Sequence, residues 1–198
     1  MQRKYKPLDM KLLQHGAGFV MPGGGTPKSV DPDSPAISVM TDLFHVTVAT
    51  ISADTTVAKA NQVMIVRAIR LLLVVDRESI ITGVVTARDT MGEKPIKLLK
   101  EIGGKHEELT VAHVMTPVSA IEVLDLESVM AAKVGNIVET LRSVGRQHAL
   151  VVDKDSLSGK ERVRGIFSAT QIGRQLGVAI HTFEVARTFA EIGSALQQ

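Results

Sequence analysis

Apolar positions along this chain fall into two patterns, one with helical spacing and one continuous, and each occurs twice. Asp54, Thr55 and Thr56 offer side-chain oxygens to a helix start, and Val57, Ala60, Met64 and Ala68 then recur at helical spacing; they predict a helix of about three turns. Leu71 to Val75 is an unbroken apolar run closed by Asp76-Arg77-Glu78-Ser79, which predicts a strand buried on both faces and then a turn. Ile80 to Val85 predicts a neighbouring strand, and a further helix is expected from Ala87 with Thr86 as its cap. The same order returns downstream: Val134, Ile137, Leu141 and Val144 for the helix, Ala149 to Val152 for the buried strand, and Arg162 to Phe167 for its neighbour. The predicted unit is strand, helix, strand, strand, helix, present in two copies.

Short words in register confirm the duplication. Val39-Met40-Thr41 returns as Val114-Met115-Thr116, Val74-Val75-Asp76 as Val151-Val152-Asp153, and Gly83-Val84-Val85-Thr86-Ala87 as Gly165-Ile166-Phe167-Ser168-Ala169. The offsets of 75, 77 and 82 residues place two extra residues before the middle word of the second copy and five after it. Insertions of that size belong in loops, where they cost little.

The repeat sets the organisation of the 198 residues. Residues 1–35 end in a stretch rich in Gly and Pro and are expected to be a flexible tail, mobile unless it docks. Residues 36–100 form the first repeat and 101–177 a polar, Gly-containing connection with the second repeat. Residues 178–198 continue an amphipathic run through Ile180, Phe183, Ala190 and Leu196, interrupted by glycines, and are expected to be a C-terminal helix. Aromatic residues are only 3% and Trp is absent, so the core must be aliphatic.

Composition also removes several function classes. A net charge of +2, with basic residues grouped only at Arg3, Lys4, Lys6 and Lys11, gives no case for nucleic acid. There is no cysteine, which excludes disulfides, thiol nucleophiles and cysteine metal sites. The six histidines lack metal-binding spacing, and Gly23-Gly24-Gly25 is neither preceded by a strand nor followed by Gly-Lys-Ser or Gly-Lys-Thr. Catalysis is therefore not expected. With no apolar run long enough for a signal peptide or a bilayer span, the expected location is the cytoplasm, with no membrane partner.

The chemistry concentrates at Thr86-Ala87-Arg88-Asp89, where a buried strand ends and a helix begins. Backbone N-H groups and the Thr86 hydroxyl there converge on a place that favours an anion. Asp89, three residues on, lies on the same side and can accept two hydrogen bonds, so phosphate near Thr86 and a ribose diol near Asp89 satisfy both groups. The ordinary alternative is that Thr86 caps the helix and Asp89 sits in its first turn.

The order Val-Met-Thr, capped helix, apolar strand ending Val-Val-Asp, then Gly-hydrophobic-hydrophobic-Thr-x-x-Asp resembles a CBS domain, the cystathionine-β-synthase type regulatory repeat. Two in tandem resemble a CBS pair, or Bateman module, over roughly residues 36 to 177. The resemblance implies an α+β fold whose two repeats pack sheet to sheet about a pseudo-twofold axis. It further implies two clefts for adenosine derivatives such as AMP, ADP, ATP or S-adenosylmethionine, acting as regulatory ligands rather than obligatory cofactors. A homodimer is expected, as is an effect in trans on a protein target that the sequence does not identify.

Carried over by residue, the resemblance implies Thr86 at phosphate and Asp89 at ribose, with Arg88 as a paired phosphate contact. Arg70 is expected to reach phosphate, Thr50 to touch the base or sugar, and Leu72 to line the adenine slot, unless Arg70 is merely a surface residue and Leu72 merely core. In the second copy Ser168, Thr170 and Gln171 stand at the corresponding junction, and Gln171 replaces the carboxylate. His148, near the position that aligns with Arg70, is expected either to reach phosphate when protonated or to be structural. Because an amide is a poorer partner for a diol than a carboxylate, the first cleft is expected to dominate. A dimerisation scaffold of the same fold that binds no nucleotide is the alternative.

Overall fold

The computed structural model describes residues 30–103, 106–155 and 159–181. The first repeat consists of β2 (Thr50–Ser52), α1 (Val57–Val66), β3 (Leu71–Val75), β4 (Ile81–Thr86) and α2 (Ala87–Met91). Its second counterpart is β6 (Val123–Asp125), α6 (Val134–Ser143), β7 (His148–Lys154), β8 (Glu161–Ser168) and α7 (Ala169–Leu176). An additional short helix, α5 (Leu126–Ala131), precedes α6. The tandem strand-helix-strand-strand-helix architecture expected from the sequence is thus the observed one.

Local chemistry explains most boundaries. Thr56 caps α1 by accepting from the Lys59 N-H, and α7 ends at Gly177, whose φ of 69° makes it a left-handed C-terminal cap. Of the five extra residues in the second copy, four lengthen the strands rather than a loop, pairing Asp153 with Arg162 and Lys154 with Glu161, and one lengthens the connection between β7 and β8. After α2 the chain breaks at Gly92 and resumes as α3 (Glu93–Ile102), with Pro95 in the first turn where its missing N-H costs nothing. Glu101, expected in the connection, therefore belongs to a helix end.

Two segments outside these units complete them. The strands β1 (Thr41–Asp42) and β5 (Thr116–Pro117) come from the Val-Met-Thr words, and α4 (Val111–Val114) precedes β5. One sheet has the order β2-β3-β4-β5 and the other β1-β8-β7-β6. Leading into the first repeat, β1 thus pairs antiparallel with β8 of the second, Thr41 opposite Ile166; leading into the second, β5 pairs with β4 of the first, Thr116 opposite Val84.

The cores follow the same exchange. Val57, Ala60, Met64, Leu72, Val74 and Val85 of the first repeat bury with Val111 and Val114. Val134, Ile137, Leu141, Val151, Phe167 and Ile172 of the second bury with Ala36, Val39 and Met40. Fully burying one such side chain contributes about 1.5 to 3 kcal/mol, so each leader is a structural part of the repeat it visits.

Residues 30–35 are docked on the second repeat. The Val134 N-H donates to the Ser34 carbonyl at 2.9 Å, the Gly135 N-H donates to the Pro32 carbonyl at 2.9 Å, and Lys133 pairs with Asp33 at 2.7 Å. Residues 1–29 of the expected tail lie outside the described residues. Of the expected C-terminal helix, residues 178–181 are not helical and 182–198 lie outside the described residues. No helix among the described residues is long and apolar enough to cross a membrane.

Candidate functional site

Two clefts form where the strand-to-helix junction of one repeat meets the start of the middle strand of the other. The first is bounded by Val84, Thr86, Ala87, Arg88 and Asp89 at the β4–α2 junction, by Thr116 of β5, and by Ile121 and Glu122. Its opposite wall is Gly145, Arg146, Gln147, His148 and Leu150 from the second repeat, with Arg70 and Leu71 between. The second cleft is bounded by Thr41, Ile166, Ser168, Thr170, Gln171 and Arg174, facing Ala68, Ile69, Arg70 and Leu71, with His148 again between. The open clefts have nearly equal volumes, about 190 and 200 Å³, so they differ in chemistry rather than in size.

At the first junction Asp89 Oδ2 accepts from the Thr86 N-H at 2.9 Å and from the Thr86 hydroxyl at 2.6 Å. With the Asp89 N-H approaching the Thr86 hydroxyl at 3.4 Å, this is a capping box, so the helix-capping role of both residues is realised. It also fixes the carboxylate. Asp89 Oδ1 stands 3.7 Å from Lys94 Nζ. Lys94 in turn donates to the carbonyls of Val114 and Met115, tying α3 to the segment that delivers Thr116. Inside α2, buried Thr90 donates to Asn61 of α1 at 2.7 Å and holds the junction against the first repeat.

The second junction is built differently. Ser168 makes no capping bond, and Gln171 Oε1 accepts from the Thr41 hydroxyl at 3.1 Å. Arg70 Nη1 donates to the Thr170 hydroxyl at 3.3 Å, a contact from one repeat to the other.

Backbone bonds align the halves. The Ala87 N-H donates to the Arg70 carbonyl at 3.0 Å and the Ala169 N-H to the Gln147 carbonyl at 2.9 Å, which makes neutral Gln147 the counterpart of Arg70. His148 corresponds to Leu71, since they pair with Ser168 and Thr86 respectively. Burial, and then the neighbouring Arg70 guanidinium, push the His148 imidazole down to about 4. At neutral pH the ring is uncharged, so the protonated phosphate contact expected for His148 is not available to it.

Of the residues singled out from sequence, Arg70, Thr86, Arg88, Asp89 and His148 line the first cleft, and Arg70, His148, Ser168, Thr170 and Gln171 line the second. Thr50 and Leu72 line neither. Thr50 is exposed at the start of edge strand β2, and Leu72 is fully buried in the first core, the bland role considered for it. Sequence reasoning missed Thr41, Thr116, Glu122, Arg146 and Arg174. For Thr41 and Thr116 the signal was present, because each ends a duplicated Val-Met-Thr word. Arg146 pairs with Glu122 at 3.1 Å across the mouth of the first cleft. Among the described residues no group of His, Asp or Glu could hold a metal ion.

Comparisons with known proteins bear on the fold. The profile of the CBS domain matches residues 36–93. A crystal structure of an uncharacterized conserved protein from Pyrococcus horikoshii is 17% identical, covering 73% of this chain and 93% of that one, with a TM-score of 0.52. The CBS domain pair of protein MJ0100, in complex with 5'-methylthioadenosine and S-adenosyl-L-methionine, is 18% identical, covering 74% and 98%, with a TM-score of 0.51. CBSX2 in complex with AMP is 20% identical, covering 71% and 94%, with a TM-score of 0.50. At these identities the likeness is one of fold. A search among curated proteins finds no match.

Proposed function

We propose that this chain, whose residues 36–93 match the CBS domain and whose fold carries the repeat in tandem, is a regulatory module that binds an adenine nucleotide in its first cleft and acts on a partner protein in trans. One observation carries the reading: Thr86 and Asp89 of one repeat face residues 145–148 of the other across a single cleft. A ligand spanning that cleft reads the position of one repeat relative to the other, and it shifts a conformational equilibrium by its differential affinity for the two states. Regulation, not chemistry, is the activity proposed.

Thr86, Arg88 and Arg70 would receive phosphate, and the carboxylate of Asp89, already oriented by its capping box, would accept from the ribose diol. Leu71, Val84, Ile121 and Leu150, drawn from both repeats, supply the apolar wall for the base in place of buried Leu72. AMP in CBSX2, and methylthioadenosine with S-adenosylmethionine in the MJ0100 pair, support an adenosine-type ligand. The second cleft lacks a carboxylate at Gln171 and would bind more weakly. Ile65 and Val66 of α1 and Met91 of the adjoining α2 are exposed apolar side chains and support a homodimer through this helical face. A cytoplasmic location is proposed with it.

A scaffold of the same fold that binds no nucleotide is the second reading, favoured by the capping box, which by itself accounts for Thr86 and Asp89. Thermal unfolding of the purified protein with AMP, ADP, ATP or S-adenosylmethionine separates the two. A ligand at 100 times its Kd adds about 2.7 kcal/mol. A stabilising shift with at least one compound is expected; no shift with any of them leaves the scaffold.

A further inference from the structure

Arg70 is placed to serve two clefts at once. Its backbone carbonyl holds the Ala87 N-H at 3.0 Å, at the foot of the helix that carries Asp89, while its guanidinium donates to Thr170 at 3.3 Å in the second cleft. Among the described residues it is the one cation lining both clefts: Arg88 and Arg146 line only the first, and Arg174 only the second. Pseudo-twofold symmetry would supply a second guanidinium at the counterpart position, but that position is Gln147. His148, between the clefts, is uncharged at neutral pH and cannot substitute.

We infer that Arg70 is a shared anion-binding group that couples the two clefts negatively. The inference rests on the reading of the first cleft as a nucleotide site. A phosphate in the first cleft draws the guanidinium away from Thr170 and leaves the second cleft without it. An anion held in the second cleft keeps Arg70 there and weakens the first by the same factor, as linkage requires. Each cleft retains its own arginine, so the coupling is partial and both sites still fill at high ligand concentration. The bond from Arg70 to the Thr170 hydroxyl makes the second cleft the resting place of the guanidinium in the unliganded protein.

The test is a double-mutant cycle on the full chain, titrated calorimetrically with AMP and separately with inorganic pyrophosphate, in the parent, Thr170→Val, Arg70→Gln and the double variant. Thr170→Val removes the resting contact while leaving Arg70 in place, and is expected to tighten the first-cleft site about threefold. That site is identified as the one lost on Asp89→Ala. Arg70→Gln is expected to weaken it about tenfold, and the double variant to match Arg70→Gln. If Thr170→Val leaves AMP affinity unchanged, or if the double variant keeps its gain, the shared-arginine inference is overturned. If AMP does not bind but pyrophosphate shows the same Arg70-dependent gain, the nucleotide reading fails and the coupling stands. No gain with either probe overturns the coupling.

Discussion

Thr86 meets two demands that usually fall to different residues. Its hydroxyl and N-H orient Asp89 within a capping box, and the same hydroxyl lies on the wall of the first cleft. Thr86→Ala should therefore cost about 1 kcal/mol of stability through the lost cap, and should also weaken AMP binding in calorimetry. A loss of stability with unchanged binding would confine Thr86 to capping. His148 makes a different prediction, in pH. Its folded value of about 4 lies below that of an unfolded imidazole, near 6.5, so between these values the unfolded chain binds a proton that the folded chain does not. Stability is full above pH 6.5 and falls as pH drops toward 4, by no more than about 3 kcal/mol. Urea midpoints measured at pH 7 and 4.5 should diverge less in His148→Gln than in the parent; equal divergence would contradict the assignment.

The leader strands explain a repeated glycine that the sequence displays without its reason. Gly83 and Gly165 each lie under the methionine of a visiting Val-Met-Thr segment, Met115 over the first and Met40 over the second. A Cβ on Gly83 would stand 2.6 Å from the Thr116 carbonyl oxygen, a backbone atom of β5. On Gly165 it would meet the side chain of Met40, which can adopt another rotamer. Gly83→Ala is accordingly expected to destabilise by about 1 to 3 kcal/mol and to shift Thr116 in the first cleft. Gly165→Ala should cost less in the same urea titration; an equal or larger cost would show that Met40 cannot yield. β1 has a further anchor. Asp42 pairs with Arg164, whose guanidinium stacks 3.9 Å from the Phe44 ring centroid, and that hydrogen-bonded arginine lowers the Asp42 carboxyl below the usual carboxylate range. Elements with local marks were legible in advance: β3 fills its apolar run and α1 starts at its Thr56 cap as expected, although it ends at Val66 and leaves Ala68, expected in its last turn, outside the helix with a left-handed φ of 53°. The pairing of Thr41 with Ile166 left no local mark, because its partner is more than 100 residues away and a two-residue strand has no period to read.

At the scale of the molecule, the exchange of leaders makes each repeat dependent on chain that belongs to the other half. A fragment spanning 36–100 would lack β5 together with Val111 and Val114, whereas 43–117 would contain the whole β2-β3-β4-β5 sheet and its core. The longer fragment is expected to unfold cooperatively in circular dichroism and the shorter one not. Cooperative unfolding of 36–100 would show that the visiting segment is dispensable. The same exchange governs how much of the site could be read. Thr86 and Asp89 were legible because a strand end, a cap and a carboxylate share one short motif. The facing wall of Gly145, Arg146 and Gln147 was not, because only the pairing of the two repeats brings it opposite.

The central claim is that the first cleft, through Asp89, is the dominant nucleotide site. Calorimetric titration of Asp89→Ala and Gln171→Ala with AMP, beside the parent, tests it most directly. The account predicts that Asp89→Ala loses at least about fivefold more affinity than Gln171→Ala, the difference of roughly 1 kcal/mol between a charge-assisted and a neutral contact. Equal losses in the two variants would contradict it.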